Sequence, residues 1–218
     1  MDLSNFFSKR LIDSWESLFQ PGPFWRCFDR FEHLDAFAQM GNILTDLPAG
    51  VVLKHPETIF VGEHCNIDPG VTLQGPCIIA DHVELRPGAY VRERSYIGPY
   101  SVIGHGTEVK GSFLFKRVKA AHFSYVGDSL VGERVNLGAG TICANVRLDK
   151  KEVYFQIGNE KVFTGRKKLG AIIGDQAQVG CNVVLNPGAL VGKQSKIPPL
   201  TTVKGTFFPK NMQANHAG

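Results

Sequence analysis

The chain has 218 residues, of which 43% are hydrophobic, and a formal net charge of +4 at pH 7. This length and apolar content suffice for one sizeable domain with a buried core. The interleaving of basic and acidic residues argues against a nucleic-acid surface, and no apolar run is long enough to cross a bilayer. The five cysteines include no CxxC pair, and no signal peptide is evident, so we expect a cytoplasmic protein with reduced thiols.

The N-terminal segment, 1–50, differs from the rest of the chain because it holds no short repeat. We interpret it as a small helical cap over one end of a β structure, where strand edges would otherwise be exposed. The less favoured alternative is that the amphipathic start of the chain attaches to a membrane surface. The helical spacing is carried by five apolar residues: Phe24, Phe28, Phe31, Leu34 and Phe37.

Beyond the cap, an aliphatic residue recurs every six positions. The next position is often glycine, and the fifth position of each hexad is small or medium-sized. The recurring residues are Val61, Ile67, Leu73, Ile79, Leu85, Val91, Ile97, Ile103 and Val109, continued by Phe115 and Ala121, and after an interruption by Ile173, Val179, Leu185, Val191, Ile197 and Val203.

A period of six indicates a hexapeptide β-helix, because it fits neither an α-helix nor a simple alternating strand. Each hexad supplies a short strand and a turn, and three hexads close a triangular coil with the aliphatic residues inside. Residues three hexads apart should therefore lie one above the other, at about 4.8 Å. We predict an all-β fold, with a parallel β-helix over residues 51–206 and a tail at 207–218.

The repeat is interrupted twice, and breaks in a regular solenoid are where function tends to lie. The first is a shortened step from Ala121 to Val126 and Val131, around the string HFSYVGD. The second is residues 148–169, which we expect to leave the helix as an excursion containing a hairpin around Gly158 and Asn159.

Stacking arithmetic selects a pair of cations, Arg92 and Lys110, which stand three hexads apart in the sequence. Two cations about 5 Å apart repel each other unless an anion joins them, so a phosphate site is one interpretation. The alternative, which the spacing alone favours, is that Arg92 and Lys110 are both solvated surface residues. Arg86 is a second candidate for the phosphate-binding cation, and the residue count places it two coils below His122. Glu108 is placed to accept an amine hydrogen bond or to pair with a neighbouring cation.

His122 lies at the first break in the repeat and is followed by Tyr125. At a partly buried corner near cations, the neutral imidazole would be favoured and could accept a proton at physiological pH. A purely structural histidine is the alternative. His64 and His82 are also three hexads apart, but two imidazoles are too few for a zinc site, so no metal is predicted.

Two long strings, HFSYVGDSLVGERVNLGAGTICANVRLDKKEV and TGRKKLGAIIGDQAQVGCNVVLNPGALVGKQSKIPPLTTV, resemble the C-terminal domain of a known enzyme family. This is the bifunctional N-acetylglucosamine-1-phosphate uridylyltransferase and glucosamine-1-phosphate acetyltransferase family, and the resemblance covers roughly residues 60–206. It implies a left-handed parallel β-helix that moves acetyl groups from acetyl-coenzyme A to a hexosamine 1-phosphate. The segment 1–50 is too short for that family's nucleotidylyltransferase domain, so uridylyl transfer is not expected.

The resemblance also implies roles for individual residues. Three positions are assigned as catalytic: His122 matches the base, the backbone amide of Ala139 matches the oxyanion donor, and Glu108 matches the glutamate just before the phosphate-binding lysine. The phosphate-binding arginine is Arg92 by count, with Arg86 in RPGA ranked second. The remaining substrate-binding positions are Lys110, Tyr125, Asn136, Asn145 and Lys151.

Acetyl-coenzyme A would contact Ala139, Gly180, Cys181 and Pro199, mostly through the backbone. Cys181 and Pro199 depart from the small residues common in the family, which leaves the acyl-length preference open. The family builds its sites between protomers of a trimer, so we expect a homotrimer. The alternatives are a metal-dependent hydratase like the γ-class carbonic anhydrases, whose closely spaced histidine pair is missing, and a non-catalytic scaffold partnering a separate nucleotidylyltransferase.

Overall fold

The computed structural model describes residues 47–208. The helical cap expected at residues 1–50 falls almost entirely outside them. Within the described residues no helix is both long and apolar enough to span a membrane, and a 3-10 turn occupies Pro56–Thr58. The strands are β1 Val52–Lys54, β2 Ile59–Val61, β3 Asn66–Ile67, β4 Thr72–Gln74, β5 Cys77–Ile79, β6 Glu84–Leu85, β7 Tyr90–Val91, β8 Ser95–Ile97, β9 Val102–His105, β10 Glu108–Lys110, β11 Phe113–Leu114, β12 Lys119–His122, β13 Tyr125–Gly127, β14 Leu130–Val131, β15 Asn136–Leu137, β16 Ile142–Cys143, β17 Tyr154–Ile157, β18 Glu160–Phe163, β19 Ile172–Ile173, β20 Gln178–Val179, β21 Val184–Leu185, β22 Leu190–Val191, β23 Lys196–Ile197, β24 Thr202–Val203 and β25 Thr206–Phe207.

The strands outside the excursion form three parallel sheets, the faces of a left-handed parallel β-helix. Sheet A has the order β1-β4-β7-β10-β13-β16-β21-β24, and sheet B has the order β2-β5-β8-β11-β14-β19-β22-β25. Sheet C runs β23-β20-β15-β12-β9-β6-β3. The chain visits the sheets in turn, so each strand pairs with the strand one coil away. The predicted fold class is confirmed.

The core is a column of side chains inside the prism. Leu73, Val91 and Val109 stack in successive coils of sheet A and are fully buried. The small residues at the fifth hexad position are buried beside the corners, and most of the polar ones make hydrogen bonds there. The Ser101 hydroxyl, for example, donates to the Phe115 carbonyl at 3.1 Å. Burial of a polar group is tolerated because its hydrogen bond is retained.

The sequence-based register is wrong by one residue in the middle of the helix. Leu114 and Ala120 point inward and are fully buried, whereas their neighbours Phe115 and Ala121 are only partly buried. The shortened steps therefore run from Val109 to Leu114 and from Val126 to Val131, and the expected short step after Ala121 is absent. Both members of each pair are apolar, so hydrophobicity alone did not distinguish them.

Glycine after the inward residue has a steric cause, illustrated by Gly104. A Cβ built on Gly104 would overlap the backbone of Ala121 in the next coil. The coils approach this closely because their backbones hydrogen-bond directly to one another. A side chain at this position would push the two coils apart.

The predicted excursion contains a hairpin formed by β17 and β18. Its Phe155 is fully buried in a second apolar cluster on the outer side of sheet B, with Leu130, Ile172 and Leu190. The excursion leaves and rejoins the helix at one place, where the Leu169 N–H donates to the Asn145 carbonyl at 2.9 Å. It therefore anchors the corner between sheets A and B.

Candidate active site

Four residues that the family resemblance singles out lie in one column, at the corner where the chain passes from sheet C to sheet A. The Gly140 N–H donates to the His122 carbonyl at 3.2 Å, the Asn182 N–H to the Ala139 carbonyl at 2.8 Å, and the Leu200 N–H to the Cys181 carbonyl at 3.0 Å. Each bond joins one coil to the next. The column is His122, Ala139, Cys181 and Pro199.

The Ala139 N–H is available to bind a ligand. Among residues 47–208 it has no hydrogen-bond acceptor. The equivalent positions two and three coils below His122 are Pro87 and Pro69, which carry no N–H. Coil stacking therefore does not need an amide proton at this corner. The Ala139 N–H is left without an acceptor, one coil above His122.

His122 is the last residue of β12, and its side chain is exposed. The expectation of a partly buried corner is therefore wrong. Directly below it in register lies His105, whose Nδ1 is 2.7 Å from the Pro87 carbonyl oxygen. The ring of Phe123, the residue after His122, packs edge-on against His105 with centroids 5.4 Å apart. The exposed imidazole of His122 is thus open to substrate from solvent.

The predicted cation pair is confirmed as a stack on sheet A, because Val91 and Val109 are register partners and Arg92 and Lys110 follow them. No phosphate is needed to hold them, because carboxylates pair with both. Arg92 donates to Glu108 at 3.0 Å and to Glu93 at 3.3 Å. The hydrogen bond to Glu108 is the main reason that the pKa of Arg92 is raised. Of the two alternatives for Glu108, pairing with a neighbouring cation is the one observed.

Asp128 was missed by the sequence analysis, although it lies within the string HFSYVGD. Its carboxylate accepts a hydrogen bond from the Lys110 ammonium at 3.4 Å and another from the Asn145 amide at 2.5 Å. The three-hexad spacing that links Arg92 to Lys110 also separates Lys110 from Asp128, and this is the signal that could have found it. Lys110 and Asp128 also line an open groove of about 670 Å³ that extends down this corner to His55.

Tyr125 lies on sheet A, one coil above Glu108. Burial raises the pKa of its phenol, and the negative charges of Asp128 and Glu108 raise it further, while a hydrogen bond with Asn145 acts in the opposite direction. The hydroxyl therefore stays protonated at neutral pH and can donate a hydrogen bond. Tyr125 lies on the sheet A face, between the corner that holds His122 and the corner that holds Asp128.

Three other substrate candidates lie apart from this face. Asn136 lies on sheet C between Lys119 and Gln178. Lys151 is exposed in the excursion, where its N–H donates to the Asp149 carboxylate at 3.1 Å. Arg86 follows β6 on sheet C and pairs with Glu84 at 2.6 Å.

The expected alignment of Arg86 with His122 is wrong. Leu85 aligns with Ile103 and then with Ala120, so Arg86 falls in the column of Ala121, one residue short of His122. The shift arises because the coil from Ile103 to Ala120 is one residue shorter than the coil below it.

His64 and His82 are stacked rings, with centroids 5.0 Å apart and planes 21° apart, and Tyr100 continues the stack at 4.6 Å. Within residues 47–208 no group of three or more potential ligands is placed to hold a metal ion. Among the described cysteines, Cys77 and Cys143 are buried, Cys65 is partly buried and Cys181 is exposed. Gly180, the residue before Cys181, lies one coil above Gly138, because the Gly138 N–H donates to the carbonyl of Val179, the residue before Gly180.

Comparison with known proteins confirms the resemblance inferred from the motifs. Residues 73–165 match the family model described as the GMPPB C-terminal domain. A bifunctional sugar-1-phosphate nucleotidylyltransferase/acetyltransferase of Sulfurisphaera tokodaii is 37% identical over 166 aligned positions, in a match that covers 66% of this chain and 41% of the relative. The repeat-containing part of this chain is homologous to part of these bifunctional proteins.

A second relative, the bifunctional protein GlmU of Methanococcus aeolicus, is 34% identical over 164 aligned positions, in a match that covers 67% of this chain and 39% of the relative. The chain therefore spans about two fifths of the length of these two relatives. Among solved structures, it is similar to a mutant form of AntD, an N-acyltransferase from Bacillus cereus. The identity is 16%, and the match covers 80% of this chain and 83% of that chain at a TM-score of 0.37.

Proposed function

We propose that this protein is an acetyltransferase that moves an acetyl group from acetyl-coenzyme A to the amine of a hexosamine 1-phosphate of the glucosamine-1-phosphate type. The observation that carries the proposal is the corner column, where an exposed imidazole lies one coil below an unpaired backbone N–H. The homology to bifunctional acetyltransferases supports the same chemistry. The proposal is confined to acetyl transfer, and the lack of uridylyl transfer remains a prediction.

In the proposed reaction, the neutral imidazole of His122 removes a proton from the sugar amine as its nitrogen attacks the thioester carbonyl. The carbonyl oxygen becomes an oxyanion, which accepts a hydrogen bond from the Ala139 N–H. Collapse of this intermediate breaks the carbon–sulfur bond, and the coenzyme A thiolate takes the proton from the His122 imidazolium. A positioned base contributes about 10²- to 10⁴-fold to the rate, and an oxyanion donor about 10²- to 10³-fold.

The sugar phosphate is assigned to the face of sheet A. Lys110 supplies a cation, with Arg92 rather than Arg86 as its partner, because Arg92 is the one stacked beside Lys110. Tyr125 and Asn145 would hold the sugar between the phosphate and His122. Glu108 would orient Arg92, with which it already pairs. Asn136 and Lys151 are part of the proposal by homology alone.

Acetyl-coenzyme A is assigned to the upper part of the corner column. Cys181 and Pro199 are both exposed there, and Gly180 presents backbone without a side chain. The pantetheine arm would run along these residues and deliver the thioester to Ala139. A homotrimer in the cytoplasm, with sites between protomers, is part of the same proposal.

The test is release of free thiol from acetyl-coenzyme A in the presence of glucosamine-1-phosphate, galactosamine-1-phosphate or unphosphorylated glucosamine. We expect turnover with a phosphorylated amino sugar, and a loss of about 10²- to 10⁴-fold in kcat/KM in His122→Ala. His64→Ala is the matched control, because His64 is also exposed but lies in the stack with His82 and Tyr100, at a different corner.

If no sugar releases thiol and His122→Ala behaves like wild type, the acetyltransferase assignment fails. The non-catalytic scaffold would then be the better interpretation. Equal losses of kcat/KM in His122→Ala and His64→Ala would also count against the acetyltransferase assignment, because the effect would then be on folding.

A further inference from the structure

Asp128 connects the residues assigned to the sugar phosphate, yet it has no role in the reaction described above. One carboxylate oxygen faces the Lys110 ammonium at 3.4 Å, and the other faces the Asn145 amide at 2.5 Å. Its charge also acts on Tyr125. A single side chain thus interacts with three of the substrate-binding candidates.

The fold holds this carboxylate in one place. Asp128 lies at the corner between sheets A and B with a φ of 46°, and its N–H donates to the Lys110 carbonyl at 2.8 Å. The carboxylate lies over Gly111 of the coil below, where a Cβ would overlap it. Above it, the Gly170 N–H of the returning excursion donates to the Asp128 carbonyl at 2.8 Å. The side chain is 15% exposed.

We infer that Asp128 is a positioning residue for the sugar phosphate, which fixes the Lys110 ammonium and the Asn145 amide in the orientation that the substrate meets. This inference rests on the proposed function, because it concerns the same site. Asp128 acts through its two partners and does not itself touch the reacting atoms.

The physical argument concerns which atoms remain free. Because the Asn145 Nδ2 group donates to the carboxylate, the amide is locked, and its Oδ1 atom is presented as an acceptor. Lys110 has three donors and uses one on Asp128, so its other two remain available for a phosphate. Holding a long side chain in place before the ligand arrives lowers the entropy lost on binding.

The variant that isolates this role is Asp128→Asn, which keeps the shape but provides one acceptor oxygen for two donors. We expect its affinity for glucosamine-1-phosphate, measured by calorimetry with saturating coenzyme A, to fall about 10- to 100-fold. Its affinity for coenzyme A should change less than about twofold, because the coenzyme column lies at the other corner. In a Lys110→Ala background, Asp128→Asn should have a clearly smaller effect.

Asp81→Asn is the matched control, because Asp81 is also a corner carboxylate but lies away from this site, where it accepts the Glu63 N–H at 2.9 Å. Unchanged or tighter binding in Asp128→Asn would overturn the inference, since the carboxylate would then compete with phosphate for Lys110. Equal weakening of both ligands with a lower Tm would also overturn it, because that indicates a structural role.

Binding is measured separately from turnover, so the two proposals can fail independently. A wild type that binds the sugar phosphate but releases no thiol would refute the acetyltransferase assignment. The affinity of Asp128→Asn for the sugar phosphate would still decide whether Asp128 is a positioning residue. A wild type that does not bind the sugar phosphate would refute both.

Discussion

The lower coils and the site-bearing coils share one core but differ in the length of one turn. Where both register partners lie between Ile59 and Val109, they are separated by three full hexads, as in Ile79 and Ile97. In the next two coils they are one residue closer in sequence, as in Val109 and Val126. Both missing residues come from the corner between sheets A and B, where Lys110 and Asp128 lie. The ladder of backbone hydrogen bonds keeps the inward residues aligned, so the turn absorbs the difference.

The two regions also differ at the opposite corner. The lower coils place Pro69 and Pro87 where the upper coils place His122 and Ala139. Proline is compatible there because the coils stack without requiring a hydrogen bond from this nitrogen, as shown by Ala139, whose N–H has no acceptor among residues 47–208. The comparison shows that chemistry can be added to this solenoid by changing corner residues while the core stays the same.

Among the changes that exchange features between the two regions, the largest effect on kcat is expected from Ala139→Pro, which gives an upper coil the residue of a lower coil. The fold should be retained, because Pro87 occupies the same place in its own coil, but the N–H proposed for the oxyanion is lost. We expect kcat for thiol release to fall about 10²- to 10³-fold with little change in Tm.

Pro69→Ala is the reciprocal control for this variant, since it adds an N–H to a lower coil and should leave kcat unchanged. Wild-type kcat in Ala139→Pro would show that this amide has no part in the reaction.

A smaller effect, on KM for the amino-sugar phosphate, is expected when a short turn between sheets A and B is lengthened to match the lower coils. Insertion of one glycine between Gly111 and Ser112 should disturb the surface on which the Asp128 carboxylate rests. We expect KM for the amino-sugar phosphate to rise about tenfold, as for loss of one charged hydrogen bond. KM for acetyl-coenzyme A should stay nearly constant, because its proposed column lies at the other corner.

The control is the same insertion between Gly158 and Asn159, at the exposed tip of the excursion hairpin, where a Cβ on Gly158 would meet nothing within 4 Å. If both insertions leave KM unchanged, the short turn does not matter for the site.

The smallest effect at neutral pH concerns the buried thiols of Cys77, in a lower coil, and Cys143, in an upper coil. Burial raises the pKa of each to about 12 from an ordinary value of 9.0. A raised pKa in the folded state means that the associated stability is complete below pH 9 and is lost as the pH rises from about 9 to about 12. The free energy of unfolding should fall over that window, and less so in Cys77→Ala and Cys143→Ala.

A thiol reagent at pH 8 provides a direct check on both regions. Cys181, which is exposed, should react at once, whereas Cys77 and Cys143 should react only after denaturation. Rapid reaction of Cys143 but not Cys77 would show that the upper coils open more readily than the lower ones.

The sequence by itself determined the fold class, because aliphatic residues recurring with a period of six fit a triangular coil with those residues inside and fit neither an α-helix nor an alternating strand. It also indicated the excursion, since the period stops where the chain leaves the helix. The family motifs selected His122, Ala139, Cys181 and Pro199, and the three-hexad spacing correctly paired Arg92 with Lys110.

Only the tertiary structure decided where the coil shortens and what that brings together. Leu114 and Phe115 are both apolar, so the sequence cannot say which one points inward, and the ladder between coils settles it. The contacts of Asp128 with Lys110 and Asn145 depend on the length of two turns and on the return of the excursion at Leu169. The spacing of two residues in a sequence counts every residue between them. Their contact in the fold also depends on how many of those residues lie in the turns.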